Sequence, residues 1–322
     1  IDGLYEIYSK VKKFLKTDKA SLVVLQTLAP FYTPNIFFHK VCLDKGIPLV
    51  CWMHGGYGAY NSLPGYDFTD YRLSQNHFVY GKVIEDLINS QDCILRKTSP
   101  EMAYKTLSVG APFFINKYQN YKRPVNKRKR ILLVIGGLYA YNRFYFGSNE
   151  HYSETCHFYQ HRNILGLLVK YQEDYDIILK DYAEGNMVST WKDLLKDLRG
   201  NKVKVITNEM SFKEVVINTD LHIFTWVSTT FMESLFTDAD MFLLDKNDVT
   251  QEAMKIFEDE IYFNSDTPTF LTTLDDYLAK GVFYTHDKHK LRELFLTEND
   301  PNAIAAKITE CIAGNFWRSN EA

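Results

Sequence analysis

Apolar residues recur along this chain in two alternating patterns, one with helical spacing and one with the continuity of a buried strand. Residues 4–15 place apolar side chains at helical spacing. Residues 33–46 also predict a helix, with Thr33 as N-cap, Pro34 at the first helical position and Gly46 as the stop, and 82–89 predict a further one. Between them, 47–53 and 76–81 form short apolar runs, which are typical of strands buried on both faces. This alternation predicts a parallel sheet covered by helices in the first part of the chain.

The same alternation begins again after residue 130. The strand-like runs are 130–135, 175–180, 202–207, 220–225 and 240–245, and helix-like segments at 153–172, 189–200, 211–219 and 228–236 separate them. Ser211 with Glu214 forms a capping box, and Asp300 before Pro301 predicts the start of a C-terminal helix. We therefore expect two β/α domains, with ligands bound beyond the carboxyl ends of the strands.

A basic segment, YKRPVNKRKR at 121–130, lies between the two regions. It contains Pro124 and has no apolar period, so it predicts an exposed linker. Its charges could also contact anionic membrane lipid or a phosphorylated acceptor, and the two interpretations are compatible. The predicted division is a first domain at 1–121, the linker at 122–130, a second domain at 131–300 and a crossover helix at 301–322. Because the chain begins at Ile1 inside a helix-like pattern, we expect a preceding segment.

Composition narrows the class of protein. The 322 residues carry a net charge of −3, without the basic excess of a nucleic-acid binder. The aromatic content of 15% suits either a heavy core or surfaces that stack on sugars and bases. The five cysteines are widely spaced with no CxxC, so the sequence predicts no disulfide framework, no zinc site and a reducing cytoplasm. No apolar run approaches 20 residues, so no membrane span is predicted.

The strongest candidate for a binding site is the turn after the strand at 220–225. Ser228, Thr229 and Thr230 open a short helix, whose free N–H groups and positive dipole end favour an anion. The three hydroxyls could donate to phosphate oxygens, and Glu233 could accept from ribose hydroxyls. The alternative is that Ser228 only caps the helix and that Glu233 is a solvated charge.

This segment resembles the second domain of GT-B-type glycosyltransferases that assemble bacterial surface polysaccharides. The resemblance covers roughly 48–56 and 131–316. Within that group the sequence is similar to the branch that contains the CDP-glycerol glycerophosphotransferases. In that branch the His of a Trp-His-Gly segment is the proposed base. Here the segment reads CWMHGG, with Met53 inserted between Trp52 and His54.

A second feature of that branch is Lys or Arg followed by His-Pro after the second strand of the second domain. Here Lys180 is followed by Asp181 and Tyr182. The resemblance therefore does not name the donor as CDP-glycerol or a CMP-sugar. A lysine at the end of a buried strand could neutralise a donor phosphate, or it could be a solvated surface charge.

The resemblance implies an α/β fold with two Rossmann-like domains facing a cleft and a C-terminal helix packing back towards the first domain. It implies a glycosyltransferase that takes a nucleotide-sugar as substrate, needs no cofactor or metal, and inverts the anomeric centre. The implied partners are that donor and a saccharide or lipid-linked saccharide acceptor, with no nucleic acid. The implied location is cytoplasmic, with peripheral membrane contact through 122–130.

Residue roles follow from these positions. His54 is the candidate general base because a near-neutral pKa suits removal of a hydroxyl proton, and Asp70 and Asp67 are the runners-up. The acceptor-binding candidates are Gly55, Gly56, Tyr57 and Tyr60. The donor-binding candidates are Gly136, Gly137, Arg143, Lys180, Thr225, Ser228, Thr229, Thr230 and Glu233. The glycines at 136–137 would let the backbone approach a pyrophosphate, or they form only a tight turn.

His157 and His161 are spaced i, i+4 on a predicted helix. No HExxH accompanies them, so we predict surface or cleft histidines and no metal. Three alternatives to a glycosyltransferase remain open at this point. They are a polyol-phosphate transferase, a nucleotide-sugar epimerase of the same fold, and a non-catalytic domain that binds carbohydrate or scaffolds an assembly.

Overall fold

The computed structural model divides the chain into two compact units. One unit comprises Ile1–Ile115 with Glu293–Ala322, and the other comprises Asn116–Arg292. The residues that the structure describes are 2–17, 22–25, 33–53, 74, 76–89, 105–118, 121–135, 154–181, 191–207, 209–245, 251–284, 288–295 and 300–314. No helix within these ranges is both long enough and apolar enough to cross a bilayer.

The first unit is built on a four-stranded parallel sheet. Its strands are β1 (Val23–Leu25), β2 (Leu49–Trp52), β3 (Asn76–Val79) and β4 (Lys105–Ser108), and they lie side by side in chain order. Its helices are α1 (Asp2–Thr17), α2 (Thr33–Lys45), α3 (Lys82–Asn89) and α4 (Pro112–Tyr118), the last of which continues into the second unit. Gly46 ends α2 with a φ of 61°, which is the left-handed geometry that glycine adopts most easily.

The C-terminal helix α12 (Pro301–Ala313) belongs to this first unit. Asp300 caps it by accepting a hydrogen bond from the N–H of Asn302. Ile308 packs against the buried cluster of Val50, Phe78 and Val109, and the Lys307 ammonium donates to the carbonyl of Ser108. The expected return of this helix to the first domain is therefore confirmed.

The second unit is built on a six-stranded parallel sheet in the order β10-β9-β8-β5-β6-β7. Its strands are β5 (Arg130–Val134), β6 (Asp176–Lys180), β7 (Lys204–Ile206), β8 (Leu221–Phe224), β9 (Asp240–Leu244) and β10 (Tyr262–Asn264). Chain order runs outward from β5 in one direction and then outward from β8 in the other. The strand order therefore reverses between β5 and β8, and the arrangement is Rossmann-like.

The described residues of this unit form seven helices, the last of which continues past Arg292 into the first unit. They are α5 (Glu154–Lys170), α6 (Trp191–Asp197), α7 (Phe212–Val216), α8 (Thr229–Ser234), α9 (Gln251–Glu260), α10 (Thr267–Lys280) and α11 (His289–Phe295). The main core lies between the sheet and the helices α5, α6 and α10, with Leu133, Leu165, Trp191, Phe242 and Leu274 at its centre. The predicted capping box is present, since Ser211 and Glu214 each accept from the other's backbone N–H.

The basic segment at 122–130 lies within the second compact unit, which starts at Asn116. Several of its side chains bind groups of that unit. The Arg128 guanidinium donates to the carbonyls of Asp174 and Gln172, and the Asn126 amide donates to the carbonyl of Asn218. Lys122, Val125 and Lys127 are exposed. The segment thus runs over the surface of the second unit with part of its length bound there.

Candidate functional site

The candidate site is the carboxyl edge of the six-stranded sheet, where the strand order reverses. In open α/β sheets the helices connecting the strands diverge at such a point and leave a crevice beyond the strand ends. Thr225 follows β8 directly and Ile135 follows β5 directly, so these two residues border that point. Both are buried, at 3% and 2% exposure. Residues 136–153, which continue from β5, lie outside the described residues and include Gly136, Gly137 and Arg143.

The turn from β8 into α8 is held by its own side chains. Ser228 is the N-cap of α8, and its hydroxyl accepts from the N–H of Phe231 at 3.2 Å. The same hydroxyl lies 2.7 Å from the hydroxyl of Thr230. The carboxylate of Asp245, just after β9, accepts from the N–H of Val227 at 3.4 Å. Ser228 therefore caps the helix, and its hydroxyl is paired with that of Thr230.

Thr225 is bound from the side by α5. The Nε2 atom of His161 lies 2.8 Å from Thr225 Oγ1, and His161 is only 1% exposed. The His157 ring lies one helical turn away and contacts the Trp226 ring edge-on, with centroids 5.7 Å apart. The sequence predicted a surface or cleft position for His161; the side chain is buried and lies at the carboxyl edge of the sheet, against Thr225. Its burial, together with the neighbouring His157, lowers its pKa to about 3, so the ring is neutral at physiological pH.

Glu233 has partners that neither interpretation of the sequence included. Its Oε2 accepts from the hydroxyl of Tyr118 at 2.6 Å and from the ammonium of Lys117, both on α4. Its side chain is 7% exposed, so it is not a solvated charge. The Tyr118 ring stacks on Phe236 at 5.6 Å, and burial and the Glu233 carboxylate raise the pKa of Tyr118. This carboxylate is thus fixed by α4 at the far end of α8.

Lys180 ends β6, as predicted, but its ammonium is already engaged. It donates to the carbonyl of Thr207 and lies 3.4 Å from the carbonyl of Asp181. Burial lowers the pKa of Lys180, while the charges of Glu209 and Asp181 oppose that shift. Asp181 is 3% exposed, and its Oδ2 has no hydrogen-bond partner in the part of the chain that the structure describes. Lys180 therefore links the carboxyl ends of β6 and β7.

The predicted residues of the first domain lie outside the described residues. They are His54, Gly55, Gly56, Tyr57, Tyr60, Asp67 and Asp70. The structure describes the strand that precedes them. Met53 is 1% exposed, and its N–H donates to the carbonyl of Phe78 at 2.9 Å, which extends the β2–β3 pairing by one residue.

The opposite, amino edge of the six-stranded sheet carries carboxylates that the sequence had not marked. Asp220 precedes β8 and is 2% exposed. Its Oδ1 accepts from Arg123 at 2.6 Å and from Lys129 at 3.0 Å, and its Oδ2 accepts from the N–H of Arg130 at 2.9 Å. Burial raises the pKa of Asp220, but these donors outweigh it and hold that pKa below its ordinary value.

Two further aspartates, Asp238 and Asp240, lie at the start of β9 on the same edge of the sheet. Asp238 accepts from the hydroxyl of Tyr121 at 3.0 Å. Asp240 accepts from the hydroxyl of Tyr277 and from the N–H of Tyr284 at 2.7 Å. We call Asp220, Asp238 and Asp240 the aspartate row. Its donors come from 121–130, from α10 and from the residues just after α10, so the row is part of the structural framework of this unit.

Four residues were missed as site candidates: His161 and Trp226, which lie beside Thr225, and Lys117 and Tyr118, which bind Glu233. The i, i+4 histidines were the one available signal, because that spacing puts both rings on one face of α5. Within the described ranges, no three His, Cys, Asp or Glu side chains converge as metal ligands would.

Comparison with known proteins identifies the fold. A glycosyltransferase from Rickettsia africae has a TM-score of 0.56 at 11% identity, covering 98% of this chain and 82% of that one. The UDP-GlcNAc 2-epimerase of Neisseria meningitidis, bound to UDP-GlcNAc, has a TM-score of 0.57 at 14% identity, with coverages of 97% and 81%. Anabaena HepE in complex with UDP-glucose has a TM-score of 0.55 at 12% identity, with coverages of 95% and 82%.

No protein-family model matches the chain, and no curated protein matches it in sequence. At such identities the structural likeness establishes the fold alone. The fold is α/β with two parallel sheets of the GT-B type, as expected from the sequence.

Proposed function

We propose that this chain is a glycosyltransferase that moves a sugar from a nucleotide-sugar donor to a hydroxyl acceptor. The observation that carries the proposal is the reversal of strand order beside Thr225 in a GT-B-type fold. Rossmann-like sheets bind nucleotides at that position. The fold is shared with a protein described as a glycosyltransferase and with one solved with UDP-glucose.

The donor binds at the carboxyl edge of the six-stranded sheet in this proposal. The hydroxyls of Thr225, Ser228, Thr229 and Thr230 supply hydrogen-bond donors for the diphosphate, with Gly136, Gly137 and Arg143 on the β5 side. Lys180 and Glu233 stand at the borders of the site, where each is held by protein partners. The neutral donors of the turn suit an anion whose charge is spread over several oxygens.

The chemical step would be a single displacement. His54 takes the proton of the acceptor hydroxyl as its oxygen bonds to the anomeric carbon, and the bond from that carbon to the phosphate oxygen breaks. The nucleotide leaves with the bonding electrons, and the anomeric centre inverts. Asp70 is the alternative base, and Gly55, Gly56, Tyr57 and Tyr60 contact the acceptor. The step as written needs no metal.

The biological setting we propose is bacterial surface polysaccharide synthesis, with a saccharide or lipid-linked saccharide as acceptor. The exposed Lys122 and Lys127 would provide a peripheral membrane contact from the cytoplasm, since Arg123 and Lys129 bind Asp220. Sedimentation with vesicles of anionic and of neutral lipid tests this. Binding that is equal on both, or absent on both, contradicts it.

A nucleotide panel tests the donor site. UDP, GDP, CDP, dTDP and CMP are added singly, and the thermal midpoint of unfolding is measured. We expect one of them to raise the midpoint and to bind in the micromolar to millimolar range by calorimetry. Stabilisation by none of the five would remove the donor site and favour a non-catalytic carbohydrate-binding or scaffold domain.

The sugar or CDP-glycerol form of the nucleotide that binds is then incubated with an acceptor preparation. His54→Ala should reduce turnover about 10²- to 10⁴-fold, as loss of a general base does, while nucleotide affinity stays unchanged. His39→Ala, on α2, is the matched control and should turn over normally. Unchanged turnover in the His54 variant would remove it as the base. Turnover with CDP-glycerol as donor, and none with the nucleotide-sugars, would favour the polyol-phosphate transferase.

A nucleotide-sugar epimerase is the second candidate, because the N. meningitidis UDP-GlcNAc 2-epimerase has the same fold at a TM-score of 0.57. The two functions differ in whether an acceptor is needed. Incubation of the protein with the nucleotide-sugar alone, followed by proton NMR of the sugar ring, separates them. Conversion to an epimer without acceptor would replace the glycosyltransferase proposal.

A further inference from the structure

In the part of the chain that the structure describes, one buried His–Thr pair lies at each end of strand β8. At the carboxyl end, His161 Nε2 lies 2.8 Å from Thr225 Oγ1. At the amino end, His222 Nε2 lies 2.8 Å from Thr219 Oγ1. All four residues are at most 3% exposed. Both rings are neutral, because burial lowers the pKa of each histidine to about 3.

The amino-end pair shows how such a pair is completed within the protein. The Thr219 hydroxyl donates its proton to the carbonyl of Val216 at 3.1 Å or of Val215 at 3.3 Å. A hydroxyl that donates its only proton in this way can still accept. His222 Nε2 therefore carries the ring proton and donates to Thr219, and it also lies 3.2 Å from the carbonyl of Val216. Every proton in this pair has an acceptor.

In the carboxyl-end pair, the last acceptor is not found among the described residues. Within the described residues, Thr225 Oγ1 has His161 as its one hydrogen-bond partner, and the Nδ1 atom of His161 has none. If Thr225 donated to Nε2, the ring proton would sit on Nδ1 as a buried N–H without an acceptor, which is rare and costly in proteins. If Nε2–H donates instead, the Thr225 hydroxyl keeps its proton for another acceptor. An oxygen at the strand end would complete the pair in the second arrangement.

We propose that His161 is a positioning residue that fixes the Thr225 hydroxyl as a hydrogen-bond donor to an anionic oxygen of the donor diphosphate. Thr225 borders the reversal of strand order, where Rossmann-like sheets bind their ligands. The His157 ring, stacked on that of His161 at 6.2 Å, and the Trp191 ring, edge-on at 5.5 Å, hold the imidazole in place. This inference rests on the proposed function, since it names a contact within the donor site.

Paired substitutions at the two ends of β8 test it. The probe is whichever of UDP, GDP, CDP, dTDP and CMP the unmodified chain binds, and the readouts are its dissociation constant and the thermal midpoint. Thr225→Val keeps the shape and removes the hydroxyl, so it should weaken binding about 10- to 100-fold, as loss of a hydrogen bond to a charged group does. Thr225→Ser, which retains a hydroxyl, should restore most of that affinity.

Thr219→Val is the matched control at the amino end. It should lower the thermal midpoint, because two buried partners lose their hydrogen bonds, and it should leave nucleotide affinity unchanged. Equal loss of affinity in Thr219→Val and Thr225→Val would overturn the proposal, since a general structural effect would then explain both. Affinity in Thr225→Val equal to that of the unmodified chain would overturn it as well.

The role of His161 is tested separately. His161→Leu removes the hydrogen bond and should weaken binding about fivefold or more, whereas His161→Gln can place an amide N–H near the Nε2 position and should recover part of it. In the unmodified complex, nitrogen NMR of the imidazole should report a neutral ring protonated on Nε2 between pH 5 and 8. A ring protonated on Nδ1, or normal affinity in His161→Leu, contradicts the positioning role. If the unmodified chain binds none of the five nucleotides, the proposed function fails and this inference fails with it.

Discussion

The two edges of the six-stranded sheet use polar side chains in opposite ways. At the amino edge, the aspartate row has cations, tyrosine hydroxyls and backbone N–H groups directed at its carboxylates. Around Thr225 at the carboxyl edge the partners are neutral: His161 pairs with Thr225, Ser228 pairs with Thr230, and no acceptor for the Thr225 hydroxyl proton lies among the described residues. Thr225 and Asp220 are both buried, at 3% and 2% exposure, so exposure alone does not tell the two edges apart.

This difference is what we expect if the cluster at the amino edge is structural and the cluster at the carboxyl edge binds a ligand, as proposed above. Burial of a charge is tolerated when its partners are built into the fold, and such a cluster stabilises the fold without needing anything from outside. A buried donor that lacks a protein acceptor costs free energy until a ligand satisfies it. Removing a residue at the amino edge should therefore change stability, and removing one at the carboxyl edge should change binding.

The largest expected effect is at Asp220. Asp220→Ala leaves the Arg123 guanidinium, which is 13% exposed, without its buried carboxylate. Breaking a buried pair by removing one partner should lower the free energy of unfolding by about 3–5 kcal/mol, measured by guanidinium denaturation. The control is Asp176→Ala, since Asp176 is 42% exposed and lies 3.4 Å from Arg128, and it should lose less than about 1 kcal/mol. Similar losses in the two variants would end the assignment of the amino edge as framework.

The same carboxylate should act in acid unfolding. The pKa of Asp220 is lower in the folded protein than in the unfolded chain, so its contribution is present at neutral pH. It is lost as the pH falls from the unfolded value, about 4, through the folded value below it. Asp220→Asn should flatten the fall in stability over that acid range, as followed by denaturation at each pH. An unchanged pH profile would contradict this reading of the pair.

Glu233 lies between the two cases, because it is a site candidate with framework partners. Tyr118→Phe keeps the ring that stacks on Phe236 and removes the hydroxyl that donates to the carboxylate. Loss of a hydrogen bond to a buried charge should lower the free energy of unfolding by about 1.5–3 kcal/mol. Tyr171→Phe, whose hydroxyl donates to the half-buried Asp275, is the control and should lose less. A loss of nucleotide affinity without a loss of stability in Tyr118→Phe would move Glu233 to the ligand side of the comparison.

Local patterns predicted much of this fold. The capping box at Ser211 and the cap at Asp300 each depend on residues only two or three positions apart, so the sequence could predict them, and both are present. The continuous apolar runs form parallel strands, because a strand that is covered by helices on both faces needs apolar side chains at successive positions. The strand β4 was missed because its sequence, KTLS, contains a single apolar residue, Leu107, and therefore forms no apolar run. The positions of Lys180, Thr225 and Ser228 at the strand ends followed from the same patterns.

The partners of these residues could not be predicted in the same way. Lys117 and Glu233 are 116 positions apart, and Arg123 and Asp220 are 97 apart. No periodicity or turn signal connects residues at such separations, so a lysine in an apolar segment and a lone aspartate look like ordinary surface charges. The hydrogen-bonding state of Thr225 depends on a histidine on a different helix, α5. Whether a polar group is satisfied is therefore a property of the assembled sheet.

The buried Lys288 should make the free energy of unfolding depend on pH in the alkaline range. Burial lowers its pKa to about 8, with the Arg292 charge adding to this shift and Asp240 and Asp238 opposing it. The folded protein then binds fewer protons than the unfolded chain between pH 8 and 10, so stability rises with pH there by at most about 1.4 kcal/mol per unit. Burial raises the pKa of Cys42 to about 11, which opposes this rise above pH 9, and the raised pKa of Tyr277 opposes it above pH 10. Denaturation at pH 7.5, 8.5 and 9.5 should show the rise in the unmodified chain, and Lys288→Met should remove it.

The smallest expected effect compares two helix caps. Ser228 caps α8 at the carboxyl edge, and Ser211 caps α7 through an exposed capping box. Each Ser→Ala substitution should lower the free energy of unfolding by about 1 kcal/mol, because one N–H at the helix start loses its acceptor. Only Ser228→Ala should also weaken nucleotide binding. The Ser228 hydroxyl is one of those proposed to bind the diphosphate beside Thr225, and the Ser211 hydroxyl is not. If the two variants bind nucleotide equally well, Ser228 is a cap and nothing more, and the ligand side of the carboxyl edge shrinks to Thr225 with its histidine.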